Sequence, residues 1–169
     1  MDIALLIVRL AIGLGMAAHG AQKLFGWFGG YGLAGTGGFF EGLGFKPGKL
    51  FAAAAGFGEV GSGLLIALGI GGALGPALLI MVMLVAIATV HIGKGFFAQN
   101  GGWELNAAYI SAALVLAFTG FGAYSLDRVL GLNVLTDPRQ AWIALGAAVV
   151  LALLNVLARR PTASQQATQ

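Results

Sequence analysis

His19-Gly-Ala-Gln22-Lys23-Leu-Phe-Gly-Trp27-Phe-Gly-Gly closes the first apolar segment of the chain and opens into a loop rich in glycine and aromatic residues. The run before it is long enough to cross a bilayer, whose hydrocarbon core takes about 20 apolar residues as a helix. A cation and an indole just beyond such a run are what a helix end presents to lipid headgroups. Lys23 therefore admits two readings: it snorkels to the interface beside Trp27, or it belongs to a polar site. His19 lies deeper in the span and needs a hydrogen-bonding partner there.

Working outward, composition agrees with a membrane location. The 169 residues are 59% hydrophobic and 9% charged, with a mean hydropathy of +0.91, which leaves too little polar surface for a water-soluble globule. Segments 3–24, 50–70, 76–92, 103–121 and 141–158 are each long and apolar enough to be read as spans. The lack of a basic n-region, Asp2 in its place and Arg9 inside the run argue that the first of them is a span and not a signal peptide. The 29 glycines run through spans as well as loops, which suits close helix packing. No basic run exceeds Arg159-Arg160, so the net charge of +3 gives no nucleic-acid signal. The chain has no cysteine, so a dithiol couple within it is excluded and redox chemistry would need a bound cofactor or a partner protein.

Arg9, Gly13, Met16, Gly20 and Lys23 recur at helical spacing on one face of the first span, which should point into a bundle. The connection 25–49 is long and aromatic. Thr36 can cap a short interfacial helix with Phe39, Phe40 and Leu43 on one side, ended by Pro47-Gly48, and this helix reads as a membrane-hugging connector or as a lid. Glu59 sits mid-span on a face with Ala52, Ala55, Gly56, Ser62 and Gly63. An ionised carboxylate there must be paired, and Arg9 is the expected partner. Glu104 in the first turn of its helix is explained by the helix dipole alone. Asn155 is the one polar group inside the last span, which reads as an anchor or subunit contact. The polar tail 161–169 should be disordered. Counting Lys and Arg in the loops places Lys23, Lys46, Lys49, Lys94, Arg159 and Arg160 on one side against Arg128 and Arg139 on the other. The N-terminus is then outside and the C-terminus cytoplasmic.

Arg9-Leu10, His19-Gly20, Gln22-Lys23-Leu24-Phe25-Gly26, Gly35-Thr36, Phe39-Phe40-Glu41, Glu59, His91, Gly101-Gly102-Trp103-Glu104 and Tyr124-Ser125-Leu126-Asp127 together resemble the DoxX family of small bacterial membrane proteins. The resemblance covers about 6–128. It implies an all-α integral membrane fold in the bacterial cytoplasmic membrane, an antiparallel four-helix transmembrane bundle. It also implies an association with membrane redox systems that include thiosulfate:quinone oxidoreductase. The chain then divides into a DoxX-like domain 1–128, a connector with an additional C-terminal transmembrane helix at 129–160, and the tail.

Stacked as an antiparallel bundle at about 1.5 Å per residue, Glu59 falls within roughly 2 Å of the midplane, with His19, His91 and Glu104 roughly 8, 10 and 13 Å toward the first-loop side. Two histidines and two carboxylates could ligate Fe, Mn or Zn, but the Glu-x-x-His pairing of bundle metal sites is missing, so metal is the lesser expectation. A quinone suits the groups better. His19, Glu59, His91 and Glu104 would handle hydrogen bonds and protons. Gln22, Lys23, Trp27, Asn100 and Trp103 would help bind the ring, with Phe25, Phe96 and Phe97 at the mouth. The expected function is a membrane subunit lending a quinone and proton site to a redox protein partner. The alternatives are a noncatalytic scaffold or assembly factor, whose polar core only holds helices together, and a proton-coupled transporter. Lipid is a certain partner of such a chain, and a homo-oligomer is compatible with it.

Overall fold

The computed structural model describes residues 1–132 and 137–160; the tail 161–169 and its expected disorder lie outside them. Every regular element among the described residues is helical: α1 (Asp2–Phe25), α2 (Gly32–Gly42), α3 (Gly48–Leu68), α4 (Leu74–Lys94), α5 (Glu104–Thr119), α6 (Leu126–Val129) and α7 (Pro138–Leu157). Four of them, α1, α3, α4 and α7, are long and apolar enough to cross a membrane. The fourth expected span is shorter than the sequence suggests: α5 has 16 residues, about 24 Å at the helical rise. Gly120 ends it in a conformation only glycine takes readily (φ 71°, ψ −169°). The chain is an all-α integral membrane bundle.

The bundle is organised by the contact of α1 with α3. A methyl group on Gly13 would lie 2.6 Å from the carbonyl oxygen of Gly63, and one on Gly20 would lie 2.6 Å from that of Gly56. The two backbones therefore approach closely at Gly13 and Gly20, where a larger side chain would not fit, the close approach that small residues permit in lipid. These contacts also make the helices antiparallel and set their register. Ala67 comes to lie beside Arg9, and Glu59 is displaced from Arg9 by about 12 Å along the axis.

That register overturns the expected Arg9–Glu59 ion pair. Arg9 is 1% exposed, and its guanidinium donates to four main-chain oxygens: Nε to Ile66 (3.1 Å), Nη2 to Ala67 (2.9 Å), and Nη1 to Phe121 (2.8 Å) and Tyr124 (2.9 Å). The first two carbonyls lie in the last turn of α3, where Ile66 O also accepts from the Gly69 amide (3.1 Å), and a cation is favourable at that end of the dipole. Gly69 caps α3 in the left-handed conformation (φ 66°), and a methyl group there would lie 2.6 Å from Arg9 Cζ. Asp127 completes the same corner by accepting from the amides of Gly71 (2.9 Å) and Gly72 (2.8 Å), while its own amide donates to Gly69 O (2.9 Å). The Tyr124-Ser-Leu-Asp127 segment thus ties the connection after α5 to the α3–α4 turn.

The last helix is an integral wall. Asp137 caps α7 through the amide of Arg139 (2.8 Å), with Pro138 in the first turn. Ala141, Leu145 and Ala148 share one stripe and join the buried cluster formed by Leu79, Ile80 and Met83 of α4 and Leu116 of α5. At its other end the Arg160 amide donates to Gly44 O (2.7 Å) and Arg159 Nε to Leu43 O (2.8 Å). The C-terminus of α7 therefore lies at the same end of the bundle as the first loop.

Removing the Arg9 fan tests this architecture. Arg9→Met should leave buried carbonyls without donors and lower stability by at least about 3 kcal/mol. Arg9→Lys should recover only part of that, because an ammonium cannot reproduce the fork. Thermal unfolding midpoints in detergent that are unchanged in both variants would exclude the structural role.

Candidate functional site

At the first-loop end, the side chain that Glu59 meets is Lys23. The Lys23 ammonium lies 2.7 Å from Oε1 and 2.6 Å from Oε2, with the carboxyl side chain 5% and the lysine side chain 28% exposed. Lys23 does not simply snorkel to the headgroups. After the turn at Gly26 (φ 74°) the chain folds back, and α2 covers the end of α1, with Thr36 Oγ1 donating to Lys23 O (3.5 Å). Lys23 is thus steered along α3 toward the carboxylate. Thr36 does not cap α2 as expected. The helix begins at Gly32, and Thr36 is buried within it. Glu41 instead accepts from the Gly48 amide (3.2 Å), placing a carboxylate on the N-terminus of α3.

The pair lies in the wall of a cavity of about 250 Å³ between α2, α3, α4 and α7. Phe40, Phe45 and Phe51 line it on one side and Met81, Val82 and Val85 on another, with Thr89, His91 and Asn155 adding polar atoms. Phe39, 52% exposed, stands at its rim. The histidine reaches the cavity through a local change in helix type, because Ile87–His91 forms a π turn, a distortion that often accompanies functional sites. Thr89 Oγ1 donates to Val85 O (2.8 Å) within it. His91 Nδ1 lies 2.6 Å from Gly101 O; a carbonyl only accepts, so Nδ1 carries a proton and orients the ring. On the other side of α2 a wider depression of about 630 Å³ is lined by Gln22, Tyr31 and Thr36 and shares Lys23, Phe39 and Phe40 with the first. Lys23 faces both spaces.

Of the nine residues assigned to the expected proton and ring-binding groups, Lys23, Glu59 and His91 line this cavity and the other six do not. His19 is exposed and packs edge-on to Tyr109, with ring centroids 6.4 Å apart. Its Nδ1 is 3.2 Å from Gln22 Oε1, and Gln22 Nε2 donates to Phe28 O (3.2 Å). Gln22 therefore braces the first loop and borders only the outer depression. Glu104 accepts from the Ala98 amide (2.8 Å) and closes the α4–α5 loop. Trp103 packs on Phe96 in that loop (4.8 Å), Asn100 lies exposed in its 3-10 turn, and Trp27 packs on Phe25 (5.1 Å), 59% exposed. The four residues weighed as metal ligands do not converge, and no group of three or more metal-ligating side chains occurs among the described residues. Sequence reading assigned no role in a site to Phe45, Phe51, Thr89 or Asn155. Only Asn155 carried a visible signal, as a lone amide in an apolar span.

If Lys23 and Glu59 act as one unit, Lys23→Met should destabilise the protein by about 3–5 kcal/mol, because it strands a carboxylate. Lys23→Met combined with Glu59→Met should restore most of the loss. Additive losses in a double-mutant cycle would show two independent groups.

The sequence matches the model of the DoxX family over residues 4–92, more than half of the chain, and the protein belongs to that family. The matched segment contains Arg9, Lys23, Glu59 and His91 and ends within α4, so α5 and α7 lie beyond it. No curated protein and no solved structure matches the chain.

Proposed function

We propose, with membership of the DoxX family as premise, that the chain is the membrane subunit of a quinone-linked redox system in the bacterial cytoplasmic membrane. In this reading it lends a quinone and proton site to a partner oxidoreductase. The observation that carries the reading is the Lys23–Glu59 pair set in the wall of an apolar cavity within the bundle. A cavity of about 250 Å³ suits a single ring, and its aromatic and aliphatic walls suit the ring faces. The exposed rim at Phe39 lets a prenyl tail leave toward lipid.

A bound quinone supplies the capacity to take up two electrons and two protons. The chain's own groups do the rest. Two of the three Lys23 donors face the Glu59 oxygens, which leaves one for a ligand oxygen. Glu59 can exchange a proton with that site, and Lys23 links it to the outer depression. His91, held by Gly101 O, offers its Nε2 as a second titratable group on the cavity wall. The cysteine-free chain leaves electron delivery to the partner.

The experiment is native mass spectrometry of the full chain in mild detergent, joined to quinol formation driven by the reconstituted partner. Glu59→Gln keeps a hydrogen bond to Lys23 but cannot carry a proton. Quinone retention should stay within about threefold while quinol formation falls about 100-fold, the range of lost general acid–base catalysis. Equal turnover in both proteins would remove Glu59 from the proton path. A noncatalytic scaffold is favoured by a different observation: Glu104 and His91 both have bonds that hold the α4–α5 loop. That reading expects a stable partner complex with no quinone in the wild-type protein.

A further inference from the structure

Beyond the polar groups already assigned, the cavity has one more, and it comes from the helix outside the family match. The polar side chains in the wall are largely committed. Lys23 and Glu59 hold each other, Thr89 bonds Val85 O, and His91 Nδ1 bonds Gly101 O. Asn155 is different. It lines the same space from α7, and among the described residues its amide has no hydrogen-bonding partner. Asn155 is half-buried, and no fully buried side-chain nitrogen or oxygen among the described residues lacks a partner, so its amide is accessible and not sealed in the core. The helix that carries it is clamped, since Arg159 and Arg160 bond Leu43 and Gly44 and the Arg159 guanidinium lies 5.9 Å over the Phe45 ring.

We infer that Asn155 is a ligand-contacting residue of this cavity, so that α7 forms part of the binding site and is not only an anchor. The inference rests on the quinone reading and deepens it. A para-quinone ring carries an oxygen on each of two opposite edges. The Lys23 ammonium serves one, and Asn155 supplies the second contact from another wall. An amide has both a donor and an acceptor, so the same residue can donate to a carbonyl oxygen of the oxidised ring and accept from a hydroxyl of the reduced one. The Arg159 clamp has a separate, positioning role: it holds α7 against the loop bearing Phe45, which is both cavity wall and cation–π partner.

The test is calorimetric titration of the full chain in detergent with a short-tailed benzoquinone, alongside thermal unfolding. The wild-type protein should bind, and Asn155→Leu should weaken binding about tenfold, the loss of a hydrogen-bonded contact. Its unfolding midpoint should stay the same or rise, because the substitution breaks no hydrogen bond within the described residues and leaves an apolar side chain in an apolar wall. Asn155→Gln, which keeps the amide, should restore binding to within about threefold. Wild-type affinity in Asn155→Leu would overturn the inference and leave the quinone site standing. Weaker binding that merely tracks a lowered midpoint, with no rescue by Gln, would overturn it in favour of a packing role. A wild-type protein that takes up no quinone would overturn both the site reading and the inference built on it.

Discussion

The close approach of α1 to α3 is the constraint on which the other features depend. Backbones meeting at Gly13, Gly20 and Gly63 have one workable register, because a Cβ at any of these positions would collide with main-chain atoms of the facing helix, while Gly56 receives the Leu24 side chain. That register brings Arg9 to the carbonyl end of α3 and leaves Glu59 to Lys23. In lipid, helices gain little from hydrophobic association, so a seam of this kind, reinforced by polar contacts, does the work that a core does in water.

The two ends of the bundle answer the cost of buried polarity in different ways. At the end bearing Arg9 and Asp127, both charged groups bond main-chain partners in loops and at helix ends. Four of the five Arg9 N–H donors and both Asp127 oxygens are engaged in this way. At the first-loop end, the Lys23–Glu59 pair borders open volume, and part of its hydrogen-bonding capacity is available.

The cavity is assembled from pieces distant in sequence. The α2 helix, folded back after Gly26, roofs it with Phe39 and Phe40; the π turn of α4 brings His91 to it; and α7 closes it with Asn155. The arginines at the end of α7 bond the loop between α2 and α3, so roof and wall are coupled. A change in the position of α2 would alter the rim at Phe39 and the exposure of Lys23 together.

The membrane class, the helical content, most of the span boundaries and the presence of Lys23, Glu59 and His91 as isolated polar groups in or beside spans could all be read from the sequence. Apolar run length and isolated polar residues within spans carry that information locally. The pairing of those residues could not. Arg9 and Lys23 occupy the same helical face, and both are long enough to be drawn toward Glu59 in a schematic bundle. The choice between them depends on the axial register of α1 against α3 and on the carbonyls of the last turn of α3 that Arg9 bonds. Likewise His19 and Glu104 lie at promising depths, but depth says nothing about rotation about the helix axis, and packing turned one toward Tyr109 and the other into a loop. Asn155 reached the site only because α7 docks on α4, a contact between surfaces whose apolar residues look, in sequence, like any lipid-facing stripe. Local composition determined what each segment is, and tertiary packing decided which polar groups meet, because register and rotation are set by contacts between helices.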